Sequence, residues 1–226
     1  LEMITVRSPM QGWCAGLEDN PDPVFSGRML GDGVSIDPTV GELRAPFDGE
    51  VMSLPDSRHA VTLKADNGAE LLVHIGVDTV AMKGAGFSAL VKAGDRVEAG
   101  QLLIQFDLDQ VLQSAASLRT PVLLLQSEHF ECDALHEQGP IGFEDAVFTI
   151  RPVASTAGES TRVDHNDEPG ETCSRMVSVG LDHGIHARPA ATLIKAIEGF
   201  QAEVTCTRGN DTANARSPVA LMSLGV

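Results

Sequence analysis

Between Val34 and Leu125 the apolar positions come in short β-branched runs cut by turns: EVMSL from 50, AVTLKA from 60, ELLVHIGV from 70 and QLLIQFDL from 101. The separators PFDG, DNG and GD bring the Gly, Asp and Asn that tight turns require. Asp66-Asn67-Gly68 between two runs predicts a β-hairpin. Helical spacing is confined to short pieces. Asp109 to Leu118 is one, with Leu112, Ala115 and Ala116 on one face before Thr120-Pro121. The pattern predicts a mainly β body with short helices over residues 3–152. Residues 153–174 hold Val163 as their only sizeable aliphatic apart from Val153, too little apolar surface to offset the entropy of ordering, and read as a flexible linker.

From residue 175 the period changes. MVSVG (176–180) predicts a short strand. Residues 187–200 predict a helix burying Ala190, Ala191, Ile194 and Ile197, with Gly199 near its end. AEVTCTR (202–208) predicts a strand, Gly209-Asn210-Asp211 a turn, and TANARS the approach to a second helix. The expected second body, 175–226, is a small α+β unit of order β-α-β-β-α.

Aromatics make up 4% of the chain, with no Tyr and one Trp, so the cores must be packed with Val, Leu, Ile and Ala. The net charge of −16 is uneven: residues 1–150 carry 23 acidic and 9 basic side chains, residues 176–226 four of each. An acidic body of this kind repels nucleic acid and anionic membrane and favours a basic protein partner. Cys14, Cys132, Cys173 and Cys206 are far apart, without a C-x-x-C pair, which fits a reducing compartment. No apolar run approaches the roughly 20 residues of a membrane span. A cytoplasmic location without direct membrane insertion is expected. Leu1-Glu2 ahead of Met3 reads as an appended remnant, with Met3 the natural start.

His59 and His74 lie on adjacent runs joined by the Asp66-Asn67-Gly68 turn, which permits them to face each other. A neutral imidazole at an apolar rim is a competent nucleophile towards phosphorus, and a second His within reach can hydrogen-bond phosphoryl oxygens. Two histidines alone fall short of the three protein ligands of catalytic zinc, and no H-x-H or H-E-x-x-H occurs, so neither a metal nor another cofactor is expected. In GIHARPAATL (184–193), His186 directly precedes a helix whose free N–H groups suit a phosphate, and Arg188 can pair with its oxygens. Pro189 falls in the first helical turn.

The runs GDGVSIDPT (31–39), RAPFDGEV (44–51), GAELLVHIGVDTVAMKGAGF (68–87), VKAGDRVEAGQLL (91–103) and TPVLL (120–124) resemble the glucose-type enzyme IIA of the bacterial sugar phosphotransferase system. That resemblance implies an antiparallel β-sandwich or barrel-sandwich. It implies that His74 is phosphorylated, that His59 is its hydrogen-bonding partner, and that Ser57 and Asp78 support the phosphate site. Asp22, Val24, Phe25 and Val80 would belong to the partner-facing rim, with aliphatic Val61, Leu72 and Ile75 completing its wall.

GIHARPAATL and NARSPVALMSLG (214–225) resemble the phosphocarrier HPr, which implies that His186 carries phosphate and Arg188 clamps it. Ser217 matches a serine phosphorylated in some lineages of that family; from the residues alone it is equally an N-cap ahead of Pro218. The implied partners are enzyme I, possibly fused beyond residue 226 in a longer polyprotein, HPr, and a IIB/IIC sugar permease. The second body, incomplete against the HPr pattern, is expected to be marginally folded.

The implied activity is that of a phosphohistidine phosphotransferase relaying phosphate from His186 to His74 and on to enzyme IIB for uptake of N-acetylglucosamine or glucose. Two alternatives are a mainly regulatory protein-binding module of the same type and, from VAMKG (80–84), a biotin- or lipoyl-type carrier with Lys83 at a hairpin tip.

Overall fold

In a computed structural model, the described residues are 2–125, 129–136, 138–153, 173–180 and 184–224. Their β-branched runs form strands that all pair antiparallel. An eight-stranded sheet runs in the order Gly139–Ile141, Gly12–Gly16, Gly31–Pro38, Thr120–Leu125, Glu70–His74, Ala60–Ala65, Gly49–Ser53 and Arg96–Val97. Two three-stranded sheets pack with it, one built on Leu102–Phe106 and one on Ala146–Pro152. Thr120–Leu125 is central and wholly buried. Its Pro121 is tolerated because pairing to Glu70–His74 begins only at Val122, so no ladder on that side needs the missing N–H.

The period of two divides the apolar side chains between two cores. Leu71, Val73, Val122 and Leu124 point into the main cluster with Val6, Ile36, Leu63, Leu103 and Phe148. Leu72, Leu123 and Leu125 point the other way and pack with Leu17, Val24, Phe25 and Leu30. Ala187, Ala191 and Val219 of the C-terminal body join that second cluster. This is how the two bodies come together over the end of the sheet that bears His74.

The expected hairpin is present, pairing Ala60 with His74 and Lys64 with Glu70 around the turn. The helix expected from Asp109 spans Leu108–Ser114, begun by Asp107, whose side chain accepts from Gln110 N–H. Val111, not Leu112, is the residue it buries; Leu112 is exposed, because the helical phase follows the side chain that fits the main core. In the C-terminal body the helix spans Ala187–Ile197, and the next strand begins at Thr205 rather than 202 and pairs with Asp211–Asn214.

The strand expected at 176–180 does not form. Residues 173–180 are exposed and pair with no strand among the described residues. Its alternating residues therefore have neither a ladder for their backbone groups nor an apolar surface to cover. The expected linker falls largely on residues 154–172, outside the described residues. Among the described residues no helix is long and apolar enough to cross a membrane.

Candidate functional site

The ladder between Ala60–Ala65 and Glu70–His74 ends at the pair Ala60–His74. In a continued ladder His59 would oppose Ile75 and point to the opposite face from His74. Arg58 instead takes up φ 53, which breaks the extended run just before His59. The two imidazoles come to 4.7 Å between centroids, nearly perpendicular at 80°. Both are buried, 4% exposed for His59 and 6% for His74. Phe25 closes the apolar side, its ring centroid 5.4 Å from that of His74.

The hydrogen bonds of the rings decide their chemistry. His74 Nδ1 lies 2.9 Å from Gly76 O. A carbonyl only accepts, so Nδ1 carries the proton and Nε2 holds the free lone pair. His59 Nδ1 is 2.7 Å from Ser57 Oγ. When the Ser57 hydroxyl donates to it, His59 Nε2–H becomes a donor that an anionic oxygen can use. Burial, with His74 and His186 nearby, holds His59 well below its ordinary value of 6.5. Burial likewise lowers His74, partly opposed by the Gly76 carbonyl. Both rings are therefore neutral at pH 7, and His74 is a nucleophile rather than a cation.

His186 is the N-cap of Ala187–Ile197 and lines, with His59, His74, Ser57, Val80 and Lys83, a cavity of about 670 Å³ between the two bodies. Arg188, on the same helix, bridges the two bodies. Its Nη2 donates to Asp22 Oδ2 at 2.8 Å and to Asp78 Oδ1 at 2.9 Å. Asp22 is 6% exposed and also caps the Pro23–Ser26 helix, accepting from Val24 N–H at 2.9 Å. Val24 and Phe25, expected at the rim, are buried beneath the docked C-terminal body.

The structure thus sets His74, His59, Ser57, Val80 and His186 around one cavity, while Arg188 bridges to Asp22 and Asp78, Phe25 packs on His74, and Val24 lies buried with Phe25. Two expectations change, and one of two offered readings is met. Ile75 lies in the main core instead of the rim wall, because it is the residue of the loop whose side chain follows Val73 inward. Ser217 is the N-cap of Pro218–Ser223, its Oγ accepting from Ala220 N–H at 3.2 Å. Lys83 closes a 3-10 turn and is not at a hairpin tip, which removes the geometry a biotinyl or lipoyl arm requires.

Two residues escaped the sequence reading. Gly76 supplies the carbonyl that sets the His74 tautomer. Asn20 is 3% exposed, accepts from Asp22 N–H at 3.0 Å and donates to Ser35 Oγ at 3.3 Å, which fixes the Asp22 segment to the sheet. Only the glycine carries a local signal, a turn residue directly after the histidine run.

Comparison with known proteins assigns the chain a family. The family described as phosphoenolpyruvate-dependent sugar phosphotransferase system, EIIA 1, matches residues 4–130. A family described as PTS HPr component phosphorylation site matches residues 173–226. The glucose-specific EIIA component of the phosphotransferase system from Bacillus cereus is 46% identical over 127 residues, covering 56% of this chain and 77% of that protein. The corresponding Staphylococcus epidermidis protein is 44% identical over 128 residues, 57% of this chain and 77% of its own. Glucose permease IIA from Mycoplasma capricolum superposes with a TM-score of 0.61 at 30% identity, covering 66% of this chain and 96% of that one.

Proposed function

Because the chain belongs to the EIIA 1 family of the phosphoenolpyruvate-dependent sugar phosphotransferase system, and carries an HPr phosphorylation-site segment after it, we propose that it relays a phosphoryl group from His186 to His74. The reading rests most on one observation: the neutral His74 ring, with its lone pair on Nε2, shares a cavity with His186. In the transfer, His74 Nε2 forms the new bond to phosphorus as the bond to the His186 nitrogen breaks. His186 leaves as a neutral imidazole when its other ring nitrogen carries a proton. His74 keeps its Nδ1 proton throughout, bound to the Gly76 carbonyl.

The supporting groups fit the charge that spreads over the phosphoryl oxygens. His59 Nε2–H donates to them, held by Ser57. Arg188 exchanges its bonds to Asp22 and Asp78 for bonds to phosphate as the group passes, which keeps each step close to balance. Upstream, enzyme I and HPr charge the carrier in the cytoplasm. Downstream, a cysteine on enzyme IIB takes the phosphate from His74 for sugar uptake by the IIC permease. The relatives' names favour glucose as the sugar, with N-acetylglucosamine the other candidate.

Incubation with enzyme I, HPr and labelled phosphoenolpyruvate tests the reading. The expected result is acid-labile label on the peptide containing His74, reduced about 10³-fold or more in His74→Ala. Undiminished labelling of that peptide in His74→Ala, or none in the wild type, refutes it.

A further inference from the structure

Behind His74, residues 75–79 are held by hydrogen bonds that the proposed relay does not itself use. The peptide joining Ile75 to Gly76 is tied at both ends. Its N–H donates to Thr120 Oγ1 at 3.1 Å, and its carbonyl accepts from Thr79 Oγ1 at 2.6 Å. The Thr120 hydroxyl proton is committed to Leu118 O at 2.8 Å, which leaves its lone pairs for Gly76 N–H. Both threonines are 0% exposed.

The next peptide, Gly76 to Val77, is fixed as well. Val77 N–H donates to Ser117 O at 2.8 Å. A trans peptide is planar, so anchoring its N–H on one side turns its carbonyl to the other, where His74 Nδ1 stands. Gly76 makes this turn at φ +66, and a Cβ there would come within 2.8 Å of Ser117 O. An imidazole in water exchanges its proton between the two nitrogens. Here such an exchange would set the Nδ1 lone pair against a carbonyl lone pair and leave a buried acceptor unpaired.

We propose that Thr79 and Thr120 are positioning residues that lock His74 in the Nδ1–H tautomer and so keep its nucleophilic lone pair on Nε2. The inference rests on His74 being the phosphoryl acceptor, but its test does not depend on that alone. The hydrogen bonds of both threonines go to backbone groups, so each acts through the two peptides of Gly76. A Thr→Val change at either site removes the hydroxyl at nearly constant shape and unties one end of the Ile75–Gly76 peptide. Thr120 puts a fully buried hydroxyl into TPVLLL, a strand otherwise wholly apolar, and that hydroxyl meets its hydrogen bonds at Gly76 N–H and Leu118 O.

Long-range ¹H–¹⁵N correlation spectra of the full chain report the tautomer of His74 directly. In the wild type and in Thr120→Ser, Nδ1 shows the protonated shift and Nε2 the bare one. In Thr120→Val and Thr79→Val the two shifts move together, as in a mixture. Uptake of phosphate from phosphorylated HPr at saturating donor falls at least about twofold in the valine variants, in step with the lost Nδ1–H fraction, with KM changed by less than about twofold, and Thr120→Ser restores it.

A mixed tautomer in the wild type overturns the proposal whether or not any variant folds. Valine variants that keep the wild-type tautomer overturn it too, even if their uptake falls. Failure of the two readings is distinguishable. A wild type that takes no phosphate on His74, yet holds a single tautomer that both valine variants lose, defeats the relay and leaves the lock. Normal labelling with an unmoved tautomer in the variants does the reverse.

Discussion

His74 and His186 line one cavity from bodies built in different ways. His74 ends a strand of an eight-stranded sheet, its ring buried and its proton tied to a carbonyl that sits in a mesh of hydrogen bonds from Thr79, Ser117 and Thr120. His186 caps an eleven-residue helix, half-buried, with the open N–H groups of the first turn beside it. The first is prepared by a large core of interleaved strands. The second belongs to a body whose own buried cluster is Ala190, Ala215 and Leu221 among the described residues, and whose Ala187, Ala191 and Val219 are buried against the partner body. One of the two proposed phosphohistidine sites is thus built within its own body, and the other is completed by docking. That asymmetry suits the proposed relay, in which a docking donor meets an acceptor whose hydrogen bonds lie within its own body.

The comparison is broken most strongly through the cores. Leu71 is fully buried in the main cluster, so Leu71→Ala should lower the stability of the β body by about 2–5 kcal/mol. Leu221→Ala, in the small cluster, should leave that main transition in place when thermal unfolding is followed by calorimetry. A residue 175–226 peptide alone should show no cooperative transition. Equal shifts from the two substitutions would mean that the bodies fold as one.

A smaller effect separates the two histidine environments by pH. The folded-state values of His59 and His74 are depressed, chiefly by burial. Below pH 6.5 the unfolded chain binds protons that the native rings refuse. Their contribution is therefore complete above 6.5 and is lost as pH falls towards the folded values, at up to about 1.4 kcal/mol per pH unit for each ring. Denaturant unfolding of the wild type against His59→Gln/His74→Gln reads the difference. The double variant should have the flatter profile between pH 6.5 and 5, and parallel profiles would contradict the burial argument.

What could be read from the chain follows the range of the interactions involved. The hairpin was legible because Asp66-Asn67-Gly68 and its flanking runs are local, but the facing of His59 and His74 also needs the break at Arg58, φ 53, which carries no such signal. The helix at 187–197 was legible from its spacing. MVSVG at 176–180 has the residues of a strand, but a strand is defined by its neighbour, and no local signal supplies one. Leu112 and Val111 differ by one helical step, and the distant main core decides which is buried. The Gly76 amide beside the His74 tautomer contact is held by Thr120, 44 residues from Gly76, and the bridge from Arg188 to Asp22 spans 166 residues. Pairing at that distance is a property of the folded packing, invisible to spacing.

The central claim is transfer within one chain from a docked donor to a prepared acceptor. The direct measurement starts from the full chain carrying a single labelled phosphoryl group on His186, freed of enzyme I and HPr, and follows the label by rapid quench at several dilutions. The account predicts that label leaves His186 and arrives on His74 at a rate independent of chain concentration, and that it stays on His186 in His74→Ala. A rate proportional to chain concentration, or label that never reaches His74 in the wild type, would contradict it.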